Sequence, residues 1–268
     1  MDNPRNNIVK TIPIKKLKEK INTSDLFIIL IDNFLNTINL QLYYMYKKEI
    51  FRDLDKKYNS HLYTGFLGIL MNYCHKKLEN FKKKEAYDKI LEIGAGSAPH
   101  IKYLSHNYNE YHIVDTSDYA DEIYKNEKNS KIKFKKYDGR KLPYDDNYFD
   151  RIIISHCLEH ILGPEEFIFE MMSKLKKGGV LSIALPTDPG FAWRLGRMMI
   201  RLFSIKKTYN ISGEEYEYIN ATEHINSVFN LRSIIRFHFK DTINEDFLPL
   251  KIKSPDLNLF YNVQIYKT

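Results

Sequence analysis

A chain of 268 residues with 43% hydrophobic residues can form one large domain, or a domain with an appendage, around a sizeable core. The two cysteines, Cys74 and Cys157, offer neither a disulfide framework nor the spacing of a metal site, so we expect no bound metal. No apolar run reaches the roughly 20 residues of a membrane-spanning helix. The first ten residues lack the apolar core of a signal peptide, and we therefore expect a cytoplasmic protein.

The net charge of +7 is concentrated in the N-terminal third of the chain. Residues 1–86 carry 16 Lys and Arg against 9 Asp and Glu, whereas residues 87–268 carry 25 of each. A basic segment favours an acidic partner such as a phosphate, an anionic lipid or RNA, although a solvated helical surface explains it equally well. RNA is the least favoured of these partners, because the remainder is electrically neutral and contains no separate RNA-binding module.

The first 86 residues are predicted to form an N-terminal α-helical cap. An irregular basic arm occupies residues 1–20. Apolar residues at helical spacing then predict three helices, over Leu26–Tyr46, Ile50–Tyr58 and Phe66–Phe81. The run Lys82-Lys83-Lys84 indicates an exposed turn, after which residues 87–268 are predicted to form the second domain.

From Tyr87 onward, strands alternate with helices, which is typical of a parallel sheet with crossover helices. The predicted strands are Ile90–Ile93, Glu110–Val114, Ile132–Lys136, Arg151–Ser155 and, after a turn at Gly178-Gly179, Val180–Leu185. The predicted helices between them are Pro99–Ser105, Tyr119–Glu127 and Pro164–Leu175. Toward the C-terminus we expect a helix over Trp193–Phe203, a loop over Tyr209–Glu223, a helix over Asn226–Arg236 and an antiparallel hairpin of Phe237–Lys240 with Leu259–Tyr266.

The turn after the first predicted strand, Glu92-Ile93-Gly94-Ala95-Gly96, carries the signal for a binding site. Gly94 and Gly96 can adopt positive φ and allow the backbone to approach a ligand closely. Pro99 suits the first turn of a helix, whose N-terminus would direct free N–H groups toward that ligand. A dinucleotide fingerprint needs a third glycine where Pro99 stands, so the turn matches an NAD site only in part.

Two carboxylates follow the next strands, at the edge where parallel sheets bind ligands. Asp115 ends the second predicted strand and could accept from both hydroxyls of a ribose. Asp138, followed by Gly139, comes after the third strand and could accept from an adenine amino group. An ordinary loop or turn role also explains each of them.

Three further stretches resemble the class I S-adenosylmethionine (SAM) methyltransferases, in particular the type 11 core. Residues 138–150, DGRKLPYDDNYFD, resemble that family's D-a-x-x-L-P-f-x-d-x-x-F-D stretch. Ser155-His156-Cys157-Leu158-Glu159-His160 is similar to its s-x-x-l-E-H continuation, and residues 175–181 resemble its L-K-P-G-G-x-L turn, with Lys177 in place of proline. The turn at residues 92–98 fits its E/D-x-G-x-G-x-G pattern, with Ala98 in place of the third glycine. The resemblance covers about residues 87–186.

The resemblance implies an α/β fold with a Rossmann-like seven-stranded sheet whose seventh strand is antiparallel. It also implies SAM as the cofactor and S-adenosylhomocysteine (SAH) as the product. The cofactor-binding residues that it implies are Glu92, Gly94, Ala95, Gly96, Asp115, Thr116, Asp138, Gly139 and His156. Methyl transfer depends mostly on positioning, and a general base is needed only when the acceptor proton has a high pKa. The candidates for that base are His156, then His160, with His224 as a further one, although structural roles explain each of them as well.

Residues 188–225 are predicted to form a lid-like insertion over the site. Arg194, Arg197 and Arg201 form a basic stripe beside a broad apolar face, which is typical of a helix at a membrane surface and equally of a packed lid. Three motifs in and around this region resemble bacterial methyltransferases of surface-polysaccharide or lipid-linked glycan pathways. They are Leu185-Pro186-Thr187-Asp188-Pro189-Gly190, Trp193-Arg194-Leu195-Gly196-Arg197 and Glu223-His224-Ile225-Asn226.

We therefore expect a small-molecule or glycan acceptor, and peripheral contact with an anionic membrane surface as a second expectation. The alternatives are a phospholipid or quinone methyltransferase, a SAM-binding protein without activity, and an NAD-dependent enzyme.

Overall fold

The computed structural model describes residues 65–81, 84–96, 100–139, 141–203 and 212–268. The predicted basic arm and the predicted helices over Leu26–Tyr46 and Ile50–Tyr58 lie outside the described residues. The described residues all belong to one compact unit, which spans residues 56–268. Within them, no helix is both long enough and apolar enough to cross a membrane.

A seven-stranded sheet forms the centre of this unit. Its strands are β1 (Ala86–Ile93), β2 (Asn107–Asp115), β3 (Ile132–Lys136), β4 (Phe149–Ser155), β5 (Leu175–Pro186), β6 (Ile243–Leu248) and β7 (Phe260–Tyr266). Their order is β3-β2-β1-β4-β5-β7-β6. Strands β1 to β5 pair in parallel, and β7 runs antiparallel to both of its neighbours. The predicted Rossmann-like sheet with an antiparallel seventh strand is confirmed.

The central strands are apolar on both faces because helices cover both sides of the sheet. Side chains alternate between the faces along each strand. Ile152 and Ile154 of β4 therefore pack in one cluster with Leu91 and Ile93, whereas Ile153 packs in the other. The continuous Ile and Leu runs of the sequence follow from this double burial.

Six helices in the described part of the chain surround the sheet. They are α1 (Gly65–Leu78), α2 (Asp118–Tyr124), α3 (Pro164–Lys174), α4 (Phe191–Phe203), α5 (Gly213–Glu223) and α6 (Val228–Phe239). Buried residues of α1 and α2 belong to the cluster around Ile153, whereas those of α3 and α6 belong to the opposite cluster.

Helix α1 binds the sheet through polar as well as apolar contacts. Asn262 Nδ2 donates to the carbonyl of Cys74 at 3.2 Å, and Gln264 Nε2 donates to the carbonyl of Leu78 at 2.9 Å. Leu78 ends the helix, so its carbonyl has no partner within the helix itself. The third helix of the predicted cap thus packs directly on the sheet, and a domain boundary after residue 86 would separate it from the strands that it covers.

A buried ion pair joins the end of α1 to the middle of the sheet. Arg151 of β4 is 0% exposed, and its Nη1 lies 2.6 Å from Glu79 Oε1. The same guanidinium donates through Nε to Ser182 Oγ at 3.0 Å. Glu79 also accepts from His100 Nε2 at 2.8 Å. Burial alone would raise the pKa of Glu79, but the hydrogen bond from His100 and the charge of Arg151 outweigh it and lower that pKa.

The segment after the glycine turn differs from the predicted helix over Pro99–Ser105. It contains a 3₁₀ helix over His100–Tyr103, while residues 97–99 lie outside the described residues. The His100 N–H donates to Glu92 Oε1 at 2.7 Å, and its ring is buried against Glu79. These two contacts hold His100 on both sides and explain why the chain turns tightly here.

Strand β5 begins at Leu175 rather than at the predicted Val180. The Gly178 N–H donates to the carbonyl of Lys267 at 2.8 Å, and the Lys267 N–H donates to the carbonyl of Gly179 at 2.9 Å. This pairing continues the β5–β7 ladder through the two glycines. Gly178, with φ of +74°, changes the direction of the strand without ending it.

The segment Tyr209–Glu223, predicted as a loop, contains helix α5 from residue 213 onward. The Ser212 hydroxyl accepts from the Glu215 N–H at 3.1 Å, and Glu215 Oε2 accepts from the Ser212 N–H at 2.7 Å. This reciprocal capping box starts the helix. The S-x-x-E spacing was visible in the sequence, but the polar, acidic composition led to the prediction of a loop.

The predicted strand Phe237–Lys240 is also wrong, because Phe237–Phe239 belong to α6. Apolar and polar residues alternate over Ile235–Phe239 as in a strand, yet Ser227 caps a helix that runs to Phe239. Strand β6 instead lies at Ile243–Leu248, and its pairing with β7 confirms an antiparallel hairpin at this end of the chain.

We predict that Glu79→Gln lowers the free energy of unfolding by about 3–5 kcal/mol, because Arg151 would stay buried without its carboxylate. The midpoint of urea denaturation measures this loss. Glu165→Gln is the matched control, because Glu165 pairs with His238 at the surface and should change stability by less than about 1 kcal/mol. Equal, small losses in both variants would show that the buried pair does not hold α1 on the sheet.

Candidate active site

The carboxyl ends of β1 to β4 bring the predicted site residues to one edge of the sheet. The glycine turn follows β1, Asp115 ends β2, Asp138 follows β3 and His156 follows β4. These four strands are neighbours, in the order β3-β2-β1-β4. Each prediction rested on its own stretch of sequence, and the parallel pairing places all of them along this one edge.

The two glycines of the turn serve different purposes. Both have positive φ, +70° at Gly94 and +52° at Gly96. A Cβ added at Gly94 would lie 2.5 Å from Cys157 Sγ, so the turn packs closely on the residues that follow β4. At Gly96, no atom of the described residues lies within 4 Å of the position that a Cβ would take. Gly96 therefore borders space that no described residue fills, whereas Ala95 between them is buried in the core.

Asp115 connects the glycine turn to the end of β2. It is 7% exposed, and its Oδ2 accepts from the Gly96 N–H at 2.9 Å, while Oδ1 accepts from the Ser117 N–H at 2.8 Å. A carboxylate oxygen can accept more than one hydrogen bond, so both oxygens retain capacity for the hydroxyls of a ligand. Thr116 and Asp138 are exposed at the same edge. The open space at Gly96 and this carboxylate fit a nucleoside-type cofactor.

Glu92 supports the turn from inside the protein. It is buried, its Oε2 accepts from the Tyr111 hydroxyl at 2.6 Å, and its Oε1 accepts from the His100 N–H. Burial raises the pKa of Glu92 to about 7, against the lowering effect of these hydrogen bonds. Glu92 thus positions the glycine turn, and direct contact between Glu92 and a cofactor stays a prediction.

His156 occupies the end of β4 in an unusual conformation. Its φ of +52° is rarely adopted by residues other than glycine, and such positions often lie at functional sites. Its ring centroid lies 5.5 Å from that of Phe260, and its Nε2 lies 3.8 Å from Cys74 Sγ. Burial lowers the pKa of His156 to about 3, with His224 and His160 adding to the effect. The ring is therefore neutral at pH 7 and a weak base, which suits positioning better than proton abstraction.

A second group of polar side chains lies beyond β4 and β5. His160 Nδ1 donates to the carbonyl of Glu223 at 2.8 Å, and His224 Nδ1 donates to Asp188 Oδ2 at 2.7 Å. The two imidazole centroids are 5.1 Å apart. Glu159 is buried beside them, with its Oε1 3.8 Å from His160 Nε2. Burial raises the pKa of Glu159 to about 7. We call Glu159, His160 and His224 the EHH cluster.

Hydrogen bonds of Asn226, the residue that follows the predicted lid-like insertion (residues 188–225), assemble this cluster. The Asn226 N–H donates to the carbonyl of Glu159 at 3.0 Å, and its side chain donates to the carbonyl of Ile161 at 2.6 Å. These bonds fix His224, at the end of α5, next to the end of β4. The sequence analysis assigns no role to Asp188, although its position just after β5 is a signal that could indicate one.

Helix α4 exposes most of its apolar face. The exposed apolar side chains are Phe191, Leu195, Met198, Met199 and Leu202. Two arginines of the predicted stripe are paired within the unit, Arg197 with Asp188 at 3.3 Å and Arg201 with Glu217 at 3.5 Å.

The fold and the edge described above define a class of α/β proteins that bind a nucleoside-type ligand at the carboxyl ends of parallel strands.

Comparison with known proteins identifies the domain within this class. Residues 91–183 match the sequence family described as a methyltransferase domain. The chain is 28% identical over 136 residues to a demethylmenaquinone methyltransferase of Corynebacterium urealyticum. The aligned part is 49% of this chain and 58% of that protein. It is 32% identical over 92 residues to a ubiquinone/menaquinone biosynthesis C-methyltransferase of Stutzerimonas stutzeri. The aligned part is 33% of this chain and 36% of that protein.

A solved structure has the same fold. The SAM-dependent methyltransferase of Thermotoga maritima superposes with a TM-score of 0.55 at 16% identity, over 82% of this chain and 100% of that chain. The chain spans less than two thirds of the length of the curated relatives it matches. It carries a class I SAM-dependent methyltransferase domain, and SAM is the cofactor of that domain. The predicted family, fold and cofactor are confirmed, and the roles of individual site residues stay predictions.

We predict that Gly96→Ala raises the dissociation constant for SAH at least about 10-fold, because the new Cβ fills the open space beside Asp115. The protein should stay folded and lose only about 1–2 kcal/mol, which is the cost of positive φ for a residue with a Cβ. Calorimetry with SAH and thermal denaturation measure the two effects. Gly94→Ala should destabilise more strongly, because its Cβ would collide with Cys157.

Gly178→Ala is the matched control for Gly96→Ala. Gly178 also has positive φ, and no described atom lies within 4 Å of a Cβ added there, but it lies near the opposite end of β5. Gly178→Ala should therefore lose similar stability and bind SAH as the wild type does. Wild-type SAH affinity in Gly96→Ala would show that the cofactor does not occupy this space.

Proposed function

We propose that this protein is an enzyme that transfers the methyl group of SAM to a small-molecule acceptor, and that the acceptor is the reduced ring of a quinone. The observation that supports methyl transfer is the space beside Gly96 and Asp115 at the edge of the sheet, within a domain of the methyltransferase class. The acceptor is supported by the two curated relatives, whose names refer to demethylmenaquinone and to ubiquinone or menaquinone biosynthesis. Neither name refers to a glycan, so these relatives give no support to the glycan acceptor.

The chemistry explains why the reduced ring is the acceptor. SAM supplies an activated methyl group on a sulfonium, which is an electrophile. The ring carbon must therefore be electron-rich, as it is in a deprotonated dihydroxy ring and not in an oxidised quinone. In the transfer, a carbon–methyl bond forms, the sulfur–methyl bond breaks and the ring carbon then loses its proton. The protein's contribution is to orient the ring and to accept protons at a fixed atom.

The Asp188–His224 pair is the best candidate for accepting the hydroxyl proton. Asp188 Oδ2 fixes the His224 Nδ1–H, which leaves Nε2 as the acceptor in a defined orientation. A phenol-type hydroxyl has a pKa near about 10, so a positioned base contributes roughly 10²–10⁴-fold. His160, whose Nδ1–H is fixed by the Glu223 carbonyl, is the second candidate. His156 is less suited, because burial lowers its pKa to about 3.

The decisive experiment compares acceptors with one preparation of the full-length protein. We expect transfer of labelled methyl from SAM to a reduced demethylated naphthoquinone that carries a prenyl tail, with the product methylated on a ring carbon by mass spectrometry. His224→Gln should lower kcat roughly 10²–10⁴-fold with little change in KM for SAM. His238→Gln is the matched control, because His238 lies at the surface beside Glu165. Transfer to a nucleotide sugar, a glycan or a phospholipid but not to this ring would contradict the proposal.

We also propose that α4 contacts an anionic membrane surface, where a prenylated ring would be found. Phe191 is 58% and Leu202 65% exposed on its apolar face, and Arg194 is exposed beside them. An amphipathic helix of this kind lies in the interfacial plane of a membrane, with its basic residues near anionic headgroups.

We predict that the wild type cosediments with phosphatidylglycerol vesicles at low salt and less at high salt, because salt screens the attraction of the exposed Arg194. The double variant Phe191→Ser/Leu202→Ser should lose this binding. Phe237→Ser is the matched control, because Phe237 is even more exposed, at 83%, but belongs to α6. If the wild type fails to cosediment at low salt, the membrane contact is wrong and a soluble acceptor becomes the better proposal.

A further inference from the structure

The EHH cluster has the composition and spacing of a metal site. Glu159, His160 and His224 each offer one ligand atom, and these atoms lie within 4.8 Å of one another. Two imidazoles and a carboxylate form a ligand set that suits divalent transition metals. Ligand atoms bound to one Zn²⁺ at roughly 2.0–2.2 Å lie about 3–3.5 Å apart. Side-chain movements of about 1 Å would therefore bring the three ligand atoms to these separations.

Both histidines are oriented as metal ligands usually are. A ligating imidazole almost always donates its other N–H to a carbonyl or carboxylate, which fixes the ring and its tautomer. His160 does so to the carbonyl of Glu223, and His224 does so to Asp188. A carbonyl and a carboxylate only accept, so Nδ1 carries the proton in both rings. The Nε2 lone pairs are therefore the ones available to an ion.

Two buried carboxylate oxygens beside the histidines have no hydrogen-bond partner among the described residues. They are Glu159 Oε2 and Asp188 Oδ1. Glu159 is only 3% exposed, and buried polar atoms are nearly always satisfied in folded proteins. A cation at the cluster would give Glu159 the positive partner that it lacks, while Asp188 would stabilise the ligating His224 from behind.

We propose that the EHH cluster binds one divalent transition-metal ion of the Zn²⁺ type through Glu159, His160 and His224. The side chain of His160 is 35% exposed, which provides an entry path and leaves part of the coordination sphere open to solvent or a ligand. The set contains no cysteine, and Glu159 and His160 lie more than 60 residues before His224 in the chain, so no local spacing in the sequence indicates it.

Metal binding at this cluster does not depend on the identity of the acceptor. An ion here would lie just beyond the ends of β4 and β5, beside the edge that the methyltransferase domain uses. With the ion bound, the Nε2 lone pairs of His160 and His224 are ligands and no longer accept a proton. An oxygen of the acceptor ring would instead take the open coordination position, where the cation lowers its pKa and its proton passes to solvent water. This last step alone rests on the proposed function.

Calorimetry with ZnCl₂ on the full-length, chelator-stripped protein tests the site. We expect one Zn²⁺ per chain with a micromolar or lower dissociation constant. His224→Gln and Glu159→Gln should raise this constant at least about 10-fold, and Asp188→Ala about 10–100-fold, because it removes the partner that orients His224. Cobalt(II) in place of zinc should show a visible absorption spectrum of a nitrogen- and oxygen-ligated ion, and His224→Gln should abolish it.

Two controls keep the result interpretable. His238→Gln removes a surface histidine outside the cluster and should leave zinc binding unchanged. SAH calorimetry on every variant separates a failure of the metal site from a failure of the methyltransferase domain or of folding. His160→Gln provides a variant at a partly exposed side chain in case Glu159→Gln does not fold. No zinc binding by the wild type, or binding that survives both His160→Gln and His224→Gln, would overturn the proposal.

Discussion

The active edge depends on the contacts of one buried carboxylate, that of Glu79. It binds the buried guanidinium of Arg151 in the middle of the sheet and accepts from His100 in the turn that follows the glycines. His100 in turn donates its backbone N–H to Glu92 at the end of β1. Because a buried charge must be paired, this chain of contacts fixes the end of helix α1, strand β4 and the glycine turn relative to one another.

Most of the sheet and its binding edge could be predicted from the sequence. Strands buried on both faces appear as short runs of Ile, Leu and Val. The edge strand β3 has no buried residue, and the sequence nevertheless predicts its observed bounds. The parallel order then determines that the residues after β1 to β4 meet at one edge, so Gly96, Asp115, Asp138 and His156 came together as expected. These predictions succeeded because they depend on local patterns and on a general rule of parallel sheets.

Other features depend on contacts between distant parts of the chain, which no local pattern reveals. The carbonyls of α1 are satisfied by Asn262 and Gln264, nearly 190 residues later, so its place on the sheet was not visible in the composition of the first 86 residues. The EHH cluster requires two distant segments to meet, the turn after β4 and the end of α5, and its assembly depends on the hydrogen bonds of Asn226. The same residues give the methyltransferase edge a second polar centre, in addition to the cofactor-binding turn.

The central claim is that the edge formed by the glycine turn and Asp115 binds SAM. Calorimetry of the full-length protein with SAH, SAM and NAD tests it most directly. We expect one SAH or SAM per chain with a micromolar dissociation constant, roughly −8 kcal/mol. Asp115→Ala should weaken this binding by about 1.5–3 kcal/mol through loss of charge-assisted hydrogen bonds, whereas the exposed Asp145→Ala should leave it unchanged. Binding of NAD without SAM or SAH, or SAH binding that is indifferent to Asp115→Ala, would contradict this account.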